Sequence, residues 1–198
     1  MPTRQLLMGL EIDEALIRAC QERDRKAQHR LYRECYSFLM NICMRYQHNR
    51  EDGEALLNQA FLKILNGIPK YRSEVPFALW IRRIMINTVI DEFRKNRKAS
   101  ELTELADFSE PEERYDSATM NAYVDKMNVE QLETLISKLP DMSRKVFNLY
   151  AVDGFAHKEI AALLGMSEGT SKWHVNFART KLKEWIAIHI PEFKQVAS

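Results

Sequence analysis

Apolar residues along this chain recur at intervals of three and four, the spacing that lines one side of a 3.6-residue helix. The period runs from Ile12 to Ala19 and again from His29 to Tyr46, where Leu31, Cys35, Phe38, Leu39, Ile42, Met44 and Tyr46 carry it. Gln47 to Gly53 is polar and breaks the pattern. Ala55 to Leu65 restores it, with Leu56, Leu57, Ala60, Phe61, Ile64 and Leu65 on one side, until Asn66, Gly67 and Pro69 end it. The loop from Ile68 leads to Pro76, and a long helix is predicted from Phe77 to Lys98 with Phe77, Trp80, Ile81, Ile84, Met85 and Val89 on a wide apolar face. No segment shows the alternation of a strand. The expectation is an all-α protein.

Residues 99–130 change character: they contain Pro111, few large aliphatics and an excess of acids, and read as a linker with at most a fragment of helix. Leu132, Leu135, Ile136 and Leu139 restart the helical period, Pro140 stops it, and Val146, Phe147, Leu149 and Tyr150 form the next apolar face. The organisation expected is a helical domain over 1–98, an acidic tether over 99–130, a smaller helical domain over 131–190 and a tail over 191–198.

Ala156 to Lys183 reads as two helices meeting at a glycine-centred turn. Ile160, Ala161, Leu163 and Leu164 give the first its apolar face, and Gly165 can take the positive φ that stops it. Ser167 can cap the second by accepting a backbone N–H. That second helix sets Val175, Ala178, Leu182 and Trp185 inward, with Thr170, Lys172, His174 and Arg179 nearer the solvent. An apolar back and a basic, polar front suit a helix that enters a DNA major groove. The alternative is a helical hairpin within a bundle.

Charge sharpens this picture. The net charge of +1 conceals a division. Residues 1–98 hold 18 Lys and Arg against 12 Asp and Glu, residues 99–130 hold 2 against 9, and residues 131–198 hold 9 against 7. Two basic blocks flanking an acidic connector suit a polyanionic partner. In the Phe77–Lys98 helix, Arg83, Asn87, Asp91 and Arg94 fall on one stripe, and Arg94, Lys95, Arg97 and Lys98 crowd the C-terminus. Cations there complement the helix dipole by about 0.3–1 kcal/mol each, which accounts for fewer than are present.

Cys20, Cys35 and Cys43 lack C-x-x-C spacing, so buried free thiols in a reducing cytosol are expected, with neither disulfide framework nor zinc site. The first residues lack the apolar run of a signal peptide, and no window approaches a membrane span. A soluble, cytoplasmic protein is expected. His157 with Glu159, and the scattered His29, His48 and His189, show no triad, metal or phosphate-loop spacing, so no enzyme, metal or cofactor is indicated.

Two motifs carry a family resemblance. F-x-x-W-I-x-R-I-x-x-N-x-x-x-D-x-x-R, met by Phe77, Trp80, Ile81, Arg83, Ile84, Asn87, Asp91 and Arg94, looks like region 2 of sigma-70-family transcription initiation factors. The stretch from Leu139 to Lys183, with E-I-A-x-x-L-G-x-S-x-G-T at Glu159 to Thr170, resembles region 4 of the same family. The two-domain length resembles the extracytoplasmic-function (ECF) subgroup. The resemblance implies a non-enzymatic factor that binds core RNA polymerase and promoter DNA. It implies polymerase docking through residues 55–65, with Asp52, Leu56, Leu57, Asn58, Gln59 and Phe61 as candidates. Contact with and melting of the −10 element would fall to Lys70, Tyr71, Arg72, Trp80, Arg83, Asn87, Arg94 and Arg97. The −35 element would be read by Ser167, Thr170, Ser171, Lys172, Trp173, His174, Asn176 and Arg179. An anti-sigma partner is common in the subgroup and is implied in the same way.

Departures from the pattern are equally specific. Acidic residues usual in the docking helix are replaced at Ala55 and Gln59, and Ala156 stands where a Ser cap is common. Trp173, Asn176 and Phe177 occupy recognition-helix positions where small, apolar or Arg residues are frequent, so base preference does not carry over. A stand-alone helix-turn-helix regulator is the other reading of these motifs; it leaves the basic, Trp-bearing helix at 77–98 without a task.

Overall fold

The computed structural model describes residues 10–47, 49–100 and 129–189, and it divides the chain into two compact units, Met1–Thr103 and Glu104–Ser198. The linker expected over 99–130 lies outside the described residues from 101 to 128, as do His48 and the 191–198 tail. Every regular element among the described residues is helical.

The first unit contains α1 (Glu14–Gln21), α2 (Arg25–Met44), α3 (Arg50–Gly67), a 3-10 turn (Ile68–Lys70) and α4 (Phe77–Ser100). Short polar side chains start its first three helices. Asp13 accepts from Ala15 N–H at 2.9 Å, and Asp24 accepts from Lys26 and Ala27 N–H at 2.7 and 3.1 Å. Asn49 accepts from Asp52 N–H at 2.8 Å. That last cap begins α3 at Arg50, so part of the polar stretch expected to be a break is helical. Gly53 sits on the inner side of this turn. A Cβ there would stand 3.0 Å from Met40 Cε and 3.1 Å from Met44 Sδ, so its missing side chain lets α2 and α3 approach.

Leu31, Cys35, Leu39 and Cys43 of α2, Leu57, Ala60 and Ile64 of α3, and Ile81, Met85 and Ile86 of α4 form the buried interior of this unit. All three cysteines are free and buried, and burial pushes the Cys35 and Cys43 thiols up to about 12. They are packing residues and stay protonated at neutral pH.

The second unit contains α5 (Val129–Ser137), α6 (Asp141–Phe147), a π-helical turn (Asn148–Val152), α7 (His157–Leu164) and α8 (Glu168–His189). Leu135, Leu139, Phe147, Ala178, Leu182 and Ile186 make one apolar cluster, with Ile136 and Trp185 packed against it. The chain leaves the π turn through Gly154, at φ +78°, and Phe155 N–H donates to Leu149 O at 2.9 Å. α7 lacks a side-chain acceptor at Ala156, but Glu159 reaches back to accept from Ala156 N–H at 2.8 Å. Gly165 ends α7 at φ +63°, and Ser167 Oγ starts α8 by accepting from Thr170 N–H at 2.9 Å. Both punctuation residues act as their side chains require.

Candidate polymerase and nucleic-acid interfaces

The stripe expected to dock on polymerase divides in two. Leu56, Leu57 and Phe61 are buried, Leu57 completely, because they lie on the side of α3 that meets α2 and α4. They are core residues, and their assignment to a surface is corrected. Asp52, Ala55, Asn58 and Gln59 are exposed on the opposite side, and with them stands Leu62, whose relative exposure is 60%. Ala55, Asn58, Gln59 and Leu62 follow the spacing of one helical stripe. Leu62 escaped the sequence reading because it is out of phase with the apolar side of its helix, and that mismatch is itself the signal.

Two tyrosines fix this face from α2. Tyr32 OH donates to Asn58 Oδ1 at 2.8 Å, and Tyr36 OH donates to Glu54 Oε1 at 2.6 Å. Arg50 Nε also donates to Glu54, at 2.9 Å. Hydrogen bonds from Tyr36 and Arg50 hold the Glu54 carboxyl below its ordinary range, so it stays ionised on the surface.

The second interface begins in the loop between the 3-10 turn and α4. Gln21 Nε2 donates to the carbonyls of Ile68 and Tyr71, each at 3.2 Å, and Tyr71 OH donates to Val75 O at 2.7 Å. The loop is therefore tied both to α1 and to itself. Tyr71, Phe77 and Trp80 form an aromatic triangle with centroids 5.0 to 5.5 Å apart. Trp80 is half-buried, and a Cβ on Gly67 would lie 3.2 Å from its Cζ2, so part of the indole packs on the backbone of α3. Beside the triangle opens a cleft of about 550 Å³ lined by Ile17, Arg18, Gln21, Tyr71, Arg72 and Phe77, among others.

Lys70 and Arg72 are exposed next to the aromatic triangle, and Arg83, Asn87 and Arg94 are exposed along α4. Asp91, on the same stripe, is taken by Lys63 of α3 at 2.9 Å, which leaves the stripe more basic than its composition suggests. The Arg97 side chain lies outside the described residues.

The third interface is α8 in its helix-turn-helix setting. Ser167 and Lys172 are exposed, and Thr170, Trp173, Asn176 and Arg179 are half-buried. Two of the expected DNA-facing residues turn inward: Ser171 is completely buried, and His174 is 6% exposed. Each has a partner that explains its orientation. His157 Nδ1 and Ser171 Oγ are hydrogen-bonded at 3.0 Å, and His174 Nδ1 and Ser143 Oγ at 2.9 Å. Burial pushes the His174 imidazole down to about 4, so it is neutral at physiological pH. His157 is also shifted down, first by burial and then by the Lys172 and Arg179 charges.

Tyr150 stacks on His157 with centroids 4.3 Å apart, and the Arg179 guanidinium lies 5.6 Å from the Tyr150 ring centroid. Arg179 is thereby steadied on an aromatic support rather than left to sweep the solvent. This polar and aromatic cluster joins α7 to α8.

Comparison with known proteins gives the family of the chain. The family model described as sigma-70 region 2 matches residues 31–99, and that described as sigma-70, region 4 matches residues 129–182. The ECF RNA polymerase sigma factor SigE of Mycolicibacterium smegmatis is 25% identical over 203 aligned residues, covering 99% of this chain and 72% of that protein. The RNA polymerase sigma factor YlaC of Bacillus subtilis is 28% identical over 162 residues, 78% of this chain and 88% of the relative. SigZ of Bacillus subtilis, also an RNA polymerase sigma factor, is 30% identical over 129 residues, 65% and 69% of the two chains. The solved structure of CnrH in complex with the cytosolic domain of CnrY is similar at a TM-score of 0.47, with 19% identity and coverage of 90% of this chain and 99% of that one. With region 2 and region 4 in series, the chain belongs to the sigma-70 family, in its ECF subgroup, and is an RNA polymerase transcription initiation factor rather than a stand-alone regulator.

Proposed function

We propose that the two units divide promoter engagement between them. Residues 1–98 bind core polymerase and engage the −10 element, 99–130 tether, and 131–190 engage the −35 element. Docking uses the exposed stripe of α3, with Leu62 as its apolar centre and Ala55, Asn58 and Gln59 around it. An apolar anchor rimmed by polar side chains is the usual anatomy of an interaction site. It also suits a helix that lacks two of the family's acids. Any anti-sigma partner that silences the factor would act most directly by covering this stripe.

The loop bearing Lys70, Tyr71 and Arg72 then holds an unstacked base of the −10 strand in the cleft beside Tyr71. Extrusion costs a few kcal/mol, offset by stacking and backbone contacts. Arg83, Asn87, Arg94 and Arg97 follow the strand along α4, and the open part of Trp80 abuts the upstream edge of the melted segment. Ser167, Thr170, Lys172, Trp173, Asn176 and Arg179 meet the −35 duplex. Ser171 and His174 support that surface from beneath. No reaction is assigned to the chain itself. Its place of work is the cytoplasm, with polymerase, and no helix among the described residues is long and apolar enough to cross a membrane.

The observation that carries this reading is a pair of basic helix faces, one in each unit: the exposed Arg83, Asn87 and Arg94 on α4, and the exposed Lys172 with the half-buried Arg179 on α8. Run-off transcription tests it. Chain and core polymerase together should yield transcripts that neither yields alone, and silence across a genomic promoter library would contradict the reading. Asn87→Ala should lower initiation on duplex templates and spare a pre-melted one; an equal defect on both would remove Asn87 from melting.

A further inference from the structure

The outward side of α8 is chemically divided. At about 100° per residue, Lys172 and Arg179 lie along one flank and Trp173 and Phe177 along the other, with Asn176 and Thr180 between them. Trp173 and Phe177 stack one helical turn apart, with ring centroids 5.2 Å apart and planes within 16° of parallel. Trp173 also meets His174 edge-on at 5.0 Å and 80°, and His174 is held from below by Ser143. The two rings therefore form a fixed apolar ledge, partly exposed on both residues. On the other flank Arg179 rests against Tyr150. The ledge and Arg179 are pre-positioned.

An apolar ledge on one flank of the helix, with two cations on the other, matches a duplex major groove that displays thymine. The thymine C5-methyl is the apolar group of that groove, and the phosphates beside it meet the cations. Phe177 has no hydrogen-bonding atom and Trp173 offers a single N–H donor, so the ledge is poorly equipped to read the paired acceptors of guanine. We propose that Trp173 and Phe177 are specificity-determining residues that select thymine methyl groups in the upstream promoter element, while Lys172 and Arg179 hold the flanking phosphates. The inference rests on the assignment of α8 as the −35-reading helix.

Deoxyuridine, which is thymidine without its C5-methyl group, supplies the test. Holoenzyme made from the full chain and core polymerase is first checked for co-elution by gel filtration, then used to select duplexes from a library randomised across the promoter. The preferred duplex is resynthesised with deoxyuridine at each upstream thymine in turn. Binding should weaken by about fourfold for each contacted methyl removed. The Trp173→Ala/Phe177→Ala double variant should bind thymine and deoxyuridine duplexes equally while still co-eluting with polymerase.

Wild-type binding that ignores deoxyuridine at every upstream position overturns the inference, whether or not the variant folds. So does a folded variant that keeps full discrimination, and so does one that loses polymerase instead, since the ledge would then serve a protein. Absence of co-elution in the first step defeats the initiation-factor reading, and is distinguished from these results because no DNA has yet been added.

Discussion

The two units bury different kinds of residue. Among the described residues of the first, Thr88 is the buried polar side chain, and its hydroxyl is satisfied within its own helix by Ile84 O at 2.8 Å. The second buries Ser143, Arg144, Asn148, Asp153, Ser171 and His174. In the first unit an apolar interior supports an outer side of α3 that lies outside it, so that side can change with little effect on the fold. In the second, polar side chains run from α6 and α7 into the inner side of α8. On the proposed reading, stability and DNA contact there depend on the same side chains. Buried polar groups are costly unless each is paired, which makes the second unit the more sensitive to a change in protonation.

The largest expected effect that separates the units is truncation in the dry core. Leu57→Ala should cost about 2–5 kcal/mol through lost burial and the cavity left behind. Hydrogen exchange should show protection falling across α1 to α4 and holding across α5 to α8. An equal fall in both would end the contrast.

Acid comes next. The folded His174 pKa of about 4 lies below its ordinary value of 6.5, so the unfolded chain binds the proton more readily in between. His174 therefore favours the fold fully above pH 6.5, and this contribution, up to about 3 kcal/mol, is lost as pH falls toward 4. The downward shift of His157 has the same sign. Glu54 in the first unit, held below the ordinary carboxylate value of 4.5, loses its contribution only in the more acidic window below that value. Urea unfolding followed by residue-resolved probes between pH 7 and 4 should show the second unit softening first. In His174→Gln that slope should flatten, and an unchanged slope would contradict the role of this imidazole.

Ser167→Ala should cost the second unit about 1 kcal/mol by removing the cap of α8, and Ser167→Asp should restore most of it; calorimetry reads both. Smallest of all, Lys63→Ala removes an ion pair whose side chains are 48% and 59% exposed, and should cost no more than about 1 kcal/mol. A larger loss would mean that the surface of the first unit is not independent of its core.

Much of this fold is legible in the sequence. Period and punctuation located the helices of both units, and Gly165 and Ser167 act as their chemistry requires. The start of α3 was missed because Asn49 makes a cap of a stretch that looks like a loop, and because Gly53 faces two methionines that sequence cannot place beside it. The interfaces were less legible. One apolar stripe, Leu56, Leu57 and Phe61, cannot both fill a core and meet a partner, and the out-of-phase Leu62 marks the outer face. Ser171 and His174 looked like surface residues because their polarity was visible and their partners, His157 and Ser143, lie 14 and 31 positions away. Periodicity reports which side of a helix is apolar; it is silent on a polar side chain that folds inward to meet another.

The division between buried core and exposed docking stripe meets its most direct test in Leu62→Glu. Tagged wild-type chain should retain core polymerase subunits, and this variant should release them while keeping the helical content and the unfolding midpoint of the parent. Undiminished retention of polymerase by a folded Leu62→Glu chain would contradict the docking face and the division of labour built on it.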